Sequence, residues 1–169
     1  MKDARQLSQF NSWANEKVFE HLKQLPEEIY EKEVQSVFPS ISAVLHHMYQ
    51  TDYVWLKVLE GESFDEIVAS VKKRAAEVQG INLNEMHIKF KEMAGQFEIF
   101  IQQKGDLNLP TTVHHPAMGT LNTTYADLLQ HIVNHGTYHR GHVSAILNQL
   151  GHKGASIDYI FYLFSLQHQ

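Results

Sequence analysis

The chain has 169 residues with a formal net charge of −5, and 43% of its residues are hydrophobic. This composition is typical of one soluble globular domain, and the negative charge argues against nucleic-acid binding, which requires a basic surface. The absence of cysteine excludes disulfides, thiolate metal ligands and a cysteine nucleophile, and fits a reducing compartment. The sequence also lacks the run of about 18 apolar residues that a transmembrane helix needs, and the apolar segment of a signal peptide. We therefore expect a single cytoplasmic domain over residues 1–169, with neither a membrane nor a nucleic acid as partner.

The first predicted helix covers residues 3–25, where apolar residues recur at steps of three and four and so form one buried face. Pro26 ends this helix. Residues 27–38 are polar and acidic, which predicts a connection with some local helix. The buried face of the first helix consists of Leu7, Phe10, Ala14, Val18, Leu22 and Leu25.

The second predicted helix covers residues 40–60 and has two adjacent apolar rows. A helix with two such rows contacts two neighbours, as in a four-helix bundle. His47 lies in one of these rows, which otherwise holds apolar or small residues. His46 lies on a row with Gln50 and Tyr53 that we expect to be exposed. The sequence therefore favours His47 over His46 as the inward-facing histidine.

The middle of the chain is predicted to contain a short polar helix over residues 64–79 and a third long helix over residues 84–104. In the long helix a row of Met and Phe residues has the spacing of a buried face, and we interpret it as core packing. Residues 106–123 contain Pro, Gly and β-branched residues, which favour a long crossover with a short hairpin. The row in the long helix consists of Met86, Phe90, Met93, Phe97 and Phe100.

The last long predicted helix, residues 124–150, carries four of the twelve histidines of the chain. Thr124 and Asp127 have the spacing of a capping box, which places the start of the helix. Gly136 and Gly141 each cost about 1 kcal/mol relative to Ala inside a helix. Such a cost indicates close approach by another helix or by a ligand. The apolar face consists of Leu128, Ile132, Val143, Ile146 and Leu150.

Two of these four histidines face the predicted core. His139 lies within the apolar face and His135 lies on its edge one turn away, whereas His131 and His142 lie on the flank. With His47, they give three inward-facing histidines from two helices. Three imidazoles can converge on one divalent ion and leave a position for water or substrate. The alternative is that buried hydrogen bonds satisfy all three.

The sequence resembles the DinB family, also called the DinB/YfiT-like family, over nearly the whole chain. The resemblance rests on FNSWAN (residues 10–15), LHHMYQTDYVWL (residues 45–56) and LLQHIVNHGTYHRGHV (residues 128–143). The last of these contains the family pattern of a His, three residues and then His-Arg-Gly. The resemblance implies an all-α four-helix bundle with a long crossover before the last core helix.

The resemblance also implies a ligand set. In the family, one histidine from the second core helix and two from the fourth bind a divalent metal, and these positions carry over to His47, His135 and His139. Because His46 is adjacent to His47, an assignment shifted by one residue is the alternative. His142 stands where many members have Gln, which neither supports nor opposes the site.

The function that the resemblance implies is metal-dependent chemistry on a small-molecule substrate. Some relatives activate low-molecular-weight thiols for transfer or isomerisation, others are described as hydrolases, and many have no assigned activity. A Zn²⁺ or Ni²⁺ ion with an open position could bind such a thiol as its thiolate, or lower the pKa of a bound water. The alternative class is a metal-binding or stress-response protein without turnover.

Three further residues each have two interpretations. Asp52 lies in an apolar row of the second helix and either supports the metal site or is a satisfied structural carboxylate. Arg140 either orients an anionic substrate or pairs with a surface carboxylate. His131 either lines the mouth of the site or is simply exposed.

The tail after Gly151 bears on assembly. It is aromatic and apolar, so we expect it to pack on the bundle or on another subunit. Residues 157–166 offer surplus apolar surface for burial, and the resemblance implies a homodimer in many relatives. We therefore expect a homodimer.

Overall fold

The computed structural model describes residues 3–167, and most of these residues are helical. Within that range the β-structure is limited to one antiparallel hairpin, in which Pro110 pairs with Thr124 and His115 with Gly119. A short 3-10 helix, Glu27–Ile29, interrupts the first connection. The elements in chain order are α1 (Ala4–Leu22), α2 (Ile41–Glu60), α3 (Phe64–Glu77), α4 (Leu83–Lys104), β1 (Pro110–His115), β2 (Gly119–Thr124), α5 (Tyr125–Gln149) and α6 (Tyr159–Gln167).

Four of the helices, α1, α2, α4 and α5, form a bundle. Helix α5 packs against α1 on one side and α2 on the other, and α4 packs against the same two helices. The crossover that contains β1 and β2 therefore connects opposite corners of the bundle, α4 and α5. This arrangement confirms the predicted all-α four-helix bundle with a long crossover before its last core helix. It also confirms that α2 contacts two bundle neighbours.

Side-chain caps set the first residue of most helices. The Ser40 side chain accepts a hydrogen bond from the Ala43 N–H at the start of α2, and Gly61, at φ 85°, ends that helix. The capping box predicted from Thr124 and Asp127 is confirmed at the start of α5. Two further capping boxes begin α3 and α4, formed by Ser63 with Glu66 and by Asn82 with Glu85.

Helix α1 ends at Leu22 instead of at residue 25 as predicted. The N–H groups of Gln24 and Leu25 bond to carbonyls three residues earlier rather than four, so the chain tightens after Leu22. Pro26 explains this change, because proline disfavours the α conformation in the residue before it.

The core lies between the four bundle helices. The predicted Met and Phe row of α4 is confirmed as packing, since Met86, Phe90, Met93 and Phe97 are all buried. The tail forms α6, whose Tyr162 is buried against Phe10 and Trp13 of α1. The rest of α6 leaves large apolar side chains exposed, namely Ile160, Phe161, Phe164 and Leu166. No helix within residues 3–167 combines the length and apolar character that a membrane crossing needs.

The prediction of an exposed row on α2 is wrong. Tyr53 is only 6% exposed, because α3 packs on α2 and the Arg74 guanidinium lies 4.4 Å from the centre of the Tyr53 ring. His46 is half-buried, and its Nε2 has no hydrogen-bond partner among residues 3–167. Burial lowers the pKa of His46, which the charge of Glu31 in the preceding loop partly opposes. The periodicity of α2 alone gives no sign of this additional cover.

Candidate metal centre

Three histidines from two adjacent bundle helices meet at one point. The Nε2 atom of His47 on α2 lies 3.2 Å from the Nε2 atom of His135 and 3.2 Å from that of His139, both on α5. One potential ligand atom from each residue lies within 4.8 Å of the others. The structure thus brings together the three histidines selected from the sequence, and we call them the histidine cluster. His46 is not part of it.

Hydrogen bonding alone does not satisfy the histidine cluster. A ring nitrogen carries either one proton or one lone pair, so the Nε2 atom of His47 cannot make two well-directed bonds to the other two Nε2 atoms. A divalent ion would accept a lone pair from each of the three. With bonds of about 2.1 Å and tetrahedral angles, ligand nitrogens lie about 3.4 Å apart, close to the spacing of the cluster. The donor set and its spacing therefore fit a divalent ion.

The electrostatics of the cluster favour neutral imidazoles. Burial, with a further contribution from neighbouring histidines, lowers the pKa of His135 to about 4 and the pKa of His139 to about 4. Burial also lowers the pKa of His47, and the nearby His142 lowers it further. All three are therefore uncharged at neutral pH. Neutral imidazole is the form that binds metal, because its lone pair is free.

Aromatic side chains surround the cluster. Phe38, from the loop before α2, lies 5.3 to 5.4 Å from the rings of His47, His139 and His142, measured between ring centres. Tyr138 contacts the rings of His139 and His142. Packing rather than hydrogen bonding orients the rings, because the buried Nδ1 atoms of His135, His139 and His142 have no hydrogen-bond partner in the described part of the chain.

Beside the cluster, Arg140 is fully buried at 1% exposure. Its Nη1 donates to the Oδ1 atoms of Asn11, at 2.6 Å, and Asn15, at 2.7 Å, and its Nη2 donates to Thr137 Oγ1 at 3.0 Å. Burial lowers the pKa of Arg140 to about 10, which the charge of Asp52 opposes. Arg140 thus joins α5 to α1. Its predicted pairing with a surface carboxylate is wrong, because the residue faces inward.

Asp52 of α2 is the carboxylate whose charge acts on Arg140. It is buried, and burial raises its pKa to about 7 despite the opposing charge of Arg140. Asp52 therefore lies in the core within reach of the charge of Arg140, and its two interpretations both stay predictions. We call Arg140, Asn11, Asn15, Thr137 and Asp52 the arginine network.

Gly136 and Gly141 differ in what surrounds them. A Cβ at Gly136 would lie 2.4 Å from Asn11 Oδ1 and 2.9 Å from Arg140 Nη1, so the predicted close approach is confirmed there. At Gly141 no atom lies within 4 Å of such a Cβ, so no other helix approaches it, and the alternative of a ligand stays a prediction. Gly136 thus leaves the space that the arginine network occupies.

Asn11, Asn15 and Phe38 were not predicted as site residues from the sequence. The two asparagines are one helical turn apart beside the apolar face of α1, a polar pair that could have been noticed. Phe38 gave no comparable signal, because it lies in an irregular loop whose path depends on the packed bundle. The flank residue His131 is exposed, as one interpretation held, and its ring lies 4.4 Å from that of Trp55 between centres.

Comparison with known proteins identifies the family of the chain. The profile of the DinB family matches residues 1–169. Protein DinB of Bacillus subtilis (strain 168) is 42% identical over 161 residues, which cover 95% of this chain and 94% of that protein. The chain belongs to the DinB family.

Proposed function

We propose that His47, His135 and His139 bind one divalent ion, Zn²⁺ or Ni²⁺, and leave a coordination position for water or a small ligand. The observation that carries the proposal is the 3.2 Å approach of the His47 Nε2 atom to both other Nε2 atoms. Imidazole nitrogens suit Zn²⁺ and Ni²⁺, and the core position of the rings keeps them neutral.

We further propose that the site serves a metal-dependent enzyme acting on a small molecule, either a thiol-dependent transferase or a hydrolase. When bound, the ion would supply Lewis acidity that ionises a small thiol or a water molecule. The chain's own contribution is to present three neutral imidazoles and to pack the rings of Phe38 and Tyr138 against the ring of His139. Since the chain lacks cysteine, the sulfur in the thiol reaction would come from the small molecule.

A non-catalytic metal-binding or stress-response protein is the second candidate. The packing of Phe38 on the rings of His47 and His139 favours it, because this side chain takes up space beside the cluster. The buried guanidinium of Arg140 also favours it. Both of its Nη atoms are engaged within the bundle, so this cation is not available to orient an anionic substrate.

Metal analysis followed by thiol titration tests the proposal. The purified protein is expected to contain about one equivalent of divalent ion. The Co²⁺-substituted protein, titrated with N-acetylcysteine, should develop the near-ultraviolet absorption of a thiolate bound to Co²⁺ if the transferase proposal holds. Metal binding without this absorption would leave the hydrolase, to be tested with small ester and amide substrates. Metal binding with neither response would favour the non-catalytic candidate.

We also propose that the protein is a homodimer. The large apolar side chains that α6 leaves exposed, Ile160, Phe161 and Phe164, support this proposal, because burial of such a surface favours association. Light scattering at micromolar concentration should give twice the mass of the chain, which is 19.5 kDa. A mass of one chain would contradict it.

A further inference from the structure

A fourth histidine lies one turn outside the histidine cluster on the same helix. His131 precedes His135 on α5 by one turn, and the centres of the two rings are 6.3 Å apart. Two histidines spaced in this way on a helix can bind one ion together. His131 does not belong to the group whose ligand atoms lie within 4.8 Å of one another. In the present arrangement of the rings, His131 is therefore not a fourth ligand of the same ion.

The row of histidines on α5 runs from solvent into the bundle. His131 is exposed, His135 is half-buried, and His139 is only 7% exposed. Phe38 and Tyr138 pack against the ring of His139. In the described part of the chain, the ring that contacts His135 from outside the cluster is that of His131. An ion that comes from solvent along α5 thus meets His131 before it meets the cluster.

Packing holds the ring of His131 in position, but its nitrogens make no hydrogen bond to another residue in the described part of the chain. The Trp55 ring packs on it with 4.4 Å between ring centres. Within residues 3–167, neither ring nitrogen of His131 makes a hydrogen bond to another residue, so the lone pair of the neutral ring is free to bind a ligand. His131 belongs neither to the arginine network nor to the histidine cluster.

We propose that His131 and His135 form an outer pair that binds an incoming divalent ion and passes it to the histidine cluster. This inference rests on the proposed metal site. His135 belongs to both sets, so the ion keeps its bond to His135 while it exchanges His131 for His139 and His47. Bound water molecules can then leave in steps rather than all at once inside the bundle. Because His135 is shared, one chain holds one ion at a time.

The role proposed for His131 and the role of a ligand of the final site differ in their effects on the rates of metal binding and on the dissociation constant. A residue that only assists transfer changes the rates of uptake and release by the same factor and leaves the dissociation constant unchanged. Metal-free protein is mixed with Co²⁺ in a stopped-flow instrument, and uptake is followed by visible absorption. Release is measured by mixing Co²⁺-loaded protein with excess EDTA. The His131→Ala variant is expected to take up and release Co²⁺ severalfold more slowly, with an unchanged dissociation constant.

Two variants separate ligation from packing and from charge. His131→Asp places a carboxylate ligand at the same position, and uptake should return toward the rate of the unaltered protein. In the His131→Ala protein, Gln130→Asp adds the same charge at an adjacent exposed position, and uptake should stay slow. His114→Ala removes an exposed hairpin histidine that pairs with Thr120, and it should match the unaltered protein.

The outcomes that overturn the outer pair are distinct. Unchanged rates of uptake and release in His131→Ala would contradict the proposed role. A raised dissociation constant with faster release would also contradict it, because that result identifies His131 as a ligand of the final site. Slow uptake in His131→Asp would show that the effect comes from packing on Trp55. Failure of the unaltered protein to bind Co²⁺ would instead overturn the proposed function, and this inference with it.

Discussion

Adjacent side chains in this protein have very different surroundings, and His46 and His47 show this most directly. The Nε2 atom of His47 faces two other imidazoles, whereas the Nε2 atom of His46 is buried without a partner in the described range. The two residues share a sequence context and differ by about 100° around the helix axis. Their separate effects on metal content therefore test which side of α2 faces the site.

Single alanine substitutions in the histidine cluster should remove the ion. His47→Ala, His135→Ala and His139→Ala each delete one of three ligands, and each is expected to lower metal content sharply, because two imidazoles bind a divalent ion far more weakly than three. His46→Ala is the matched control and should change metal content little. Elemental analysis of the four purified variants is the measurement. If His46→Ala lost the metal and His47→Ala kept it, the assignment on α2 would be wrong by one residue.

The two glycines of α5 should respond to alanine with opposite signs. Gly136→Ala forces a methyl group against Asn11 and Arg140, and we expect the free energy of unfolding to fall by about 1–3 kcal/mol. Gly141→Ala meets no atom within 4 Å and should raise it by up to about 1 kcal/mol, because alanine favours the helix. Urea denaturation followed by circular dichroism measures both. Equal effects of the two substitutions would contradict the close packing described at Gly136.

At the scale of the helices, α6 docks on α1 through a small set of side chains, of which Tyr162 is the buried one. Tyr162 is 4% exposed and packs on Phe10 and Trp13, whereas Phe164 on the same helix is 54% exposed. The free energy that docks α6 on α1 therefore depends on a small aromatic contact. Such a helix can detach while the bundle stays folded.

Removal of the Tyr162 ring should release α6. Tyr162→Ala deletes a buried aromatic side chain, which costs about 3 kcal/mol or more in a packed site. Amide hydrogen exchange over Tyr159–Gln167 is expected to become faster, while exchange in α2 and α5 stays slow. Gln167→Ala, at an exposed polar position of the same helix, is the control and should leave the exchange unchanged. Slow exchange of α6 in the Tyr162→Ala protein would show that other contacts hold the helix.

Helix periodicity predicted what depends on one helix at a time. The four bundle helices, the inward position of His47 and the start of α5 at Thr124 all followed from spacing and capping residues. The cover of Tyr53 by Arg74 and the bonds from Arg140 to α1 could not be predicted in this way. Both depend on which helices become neighbours, and a single amphipathic pattern carries no information about its partner. The path of Phe38 depends likewise on a loop without regular spacing.

For the whole molecule, the free energy of unfolding should depend on pH through two kinds of buried group, whose effects are opposite. The pKa of His135 and that of His139 are lowered to about 4 in the folded protein, against about 6.5 in an unfolded chain. Between these values the unfolded chain binds protons that the folded protein does not, so stability falls as the pH falls. Asp52 acts in the opposite direction, because its pKa is raised to about 7 and the folded protein binds the extra proton.

The histidine contribution can be isolated by difference. The free energy of unfolding of metal-free protein is measured in EDTA from pH 7 to pH 4 for the unaltered chain and for His135→Gln. The variant lacks one buried imidazole but keeps Asp52, so its free energy of unfolding should decrease less than that of the unaltered chain as the pH falls through this range. Equal slopes would show that His135 titrates normally in the folded protein. Added Zn²⁺ should stabilise the unaltered chain most at the upper end of the range, where protons do not compete for the ligand nitrogens.

The arginine network also limits how the bundle can be assembled. The guanidinium of Arg140 finds acceptors on α1 at two positions one turn apart, Asn11 and Asn15, and a countercharge on α2 at Asp52. If α1 slid along α5 by one turn, about 5.4 Å, the apolar contacts could largely re-form. One asparagine would then take the place of the other, and the buried cation would lose its second acceptor, at a cost of about 1.5–3 kcal/mol. Rows of apolar side chains can pack in either alignment, whereas Arg140 can make all its hydrogen bonds in only one of them. The network therefore selects one longitudinal alignment of α1 on α5, the helix that carries two of the three clustered histidines.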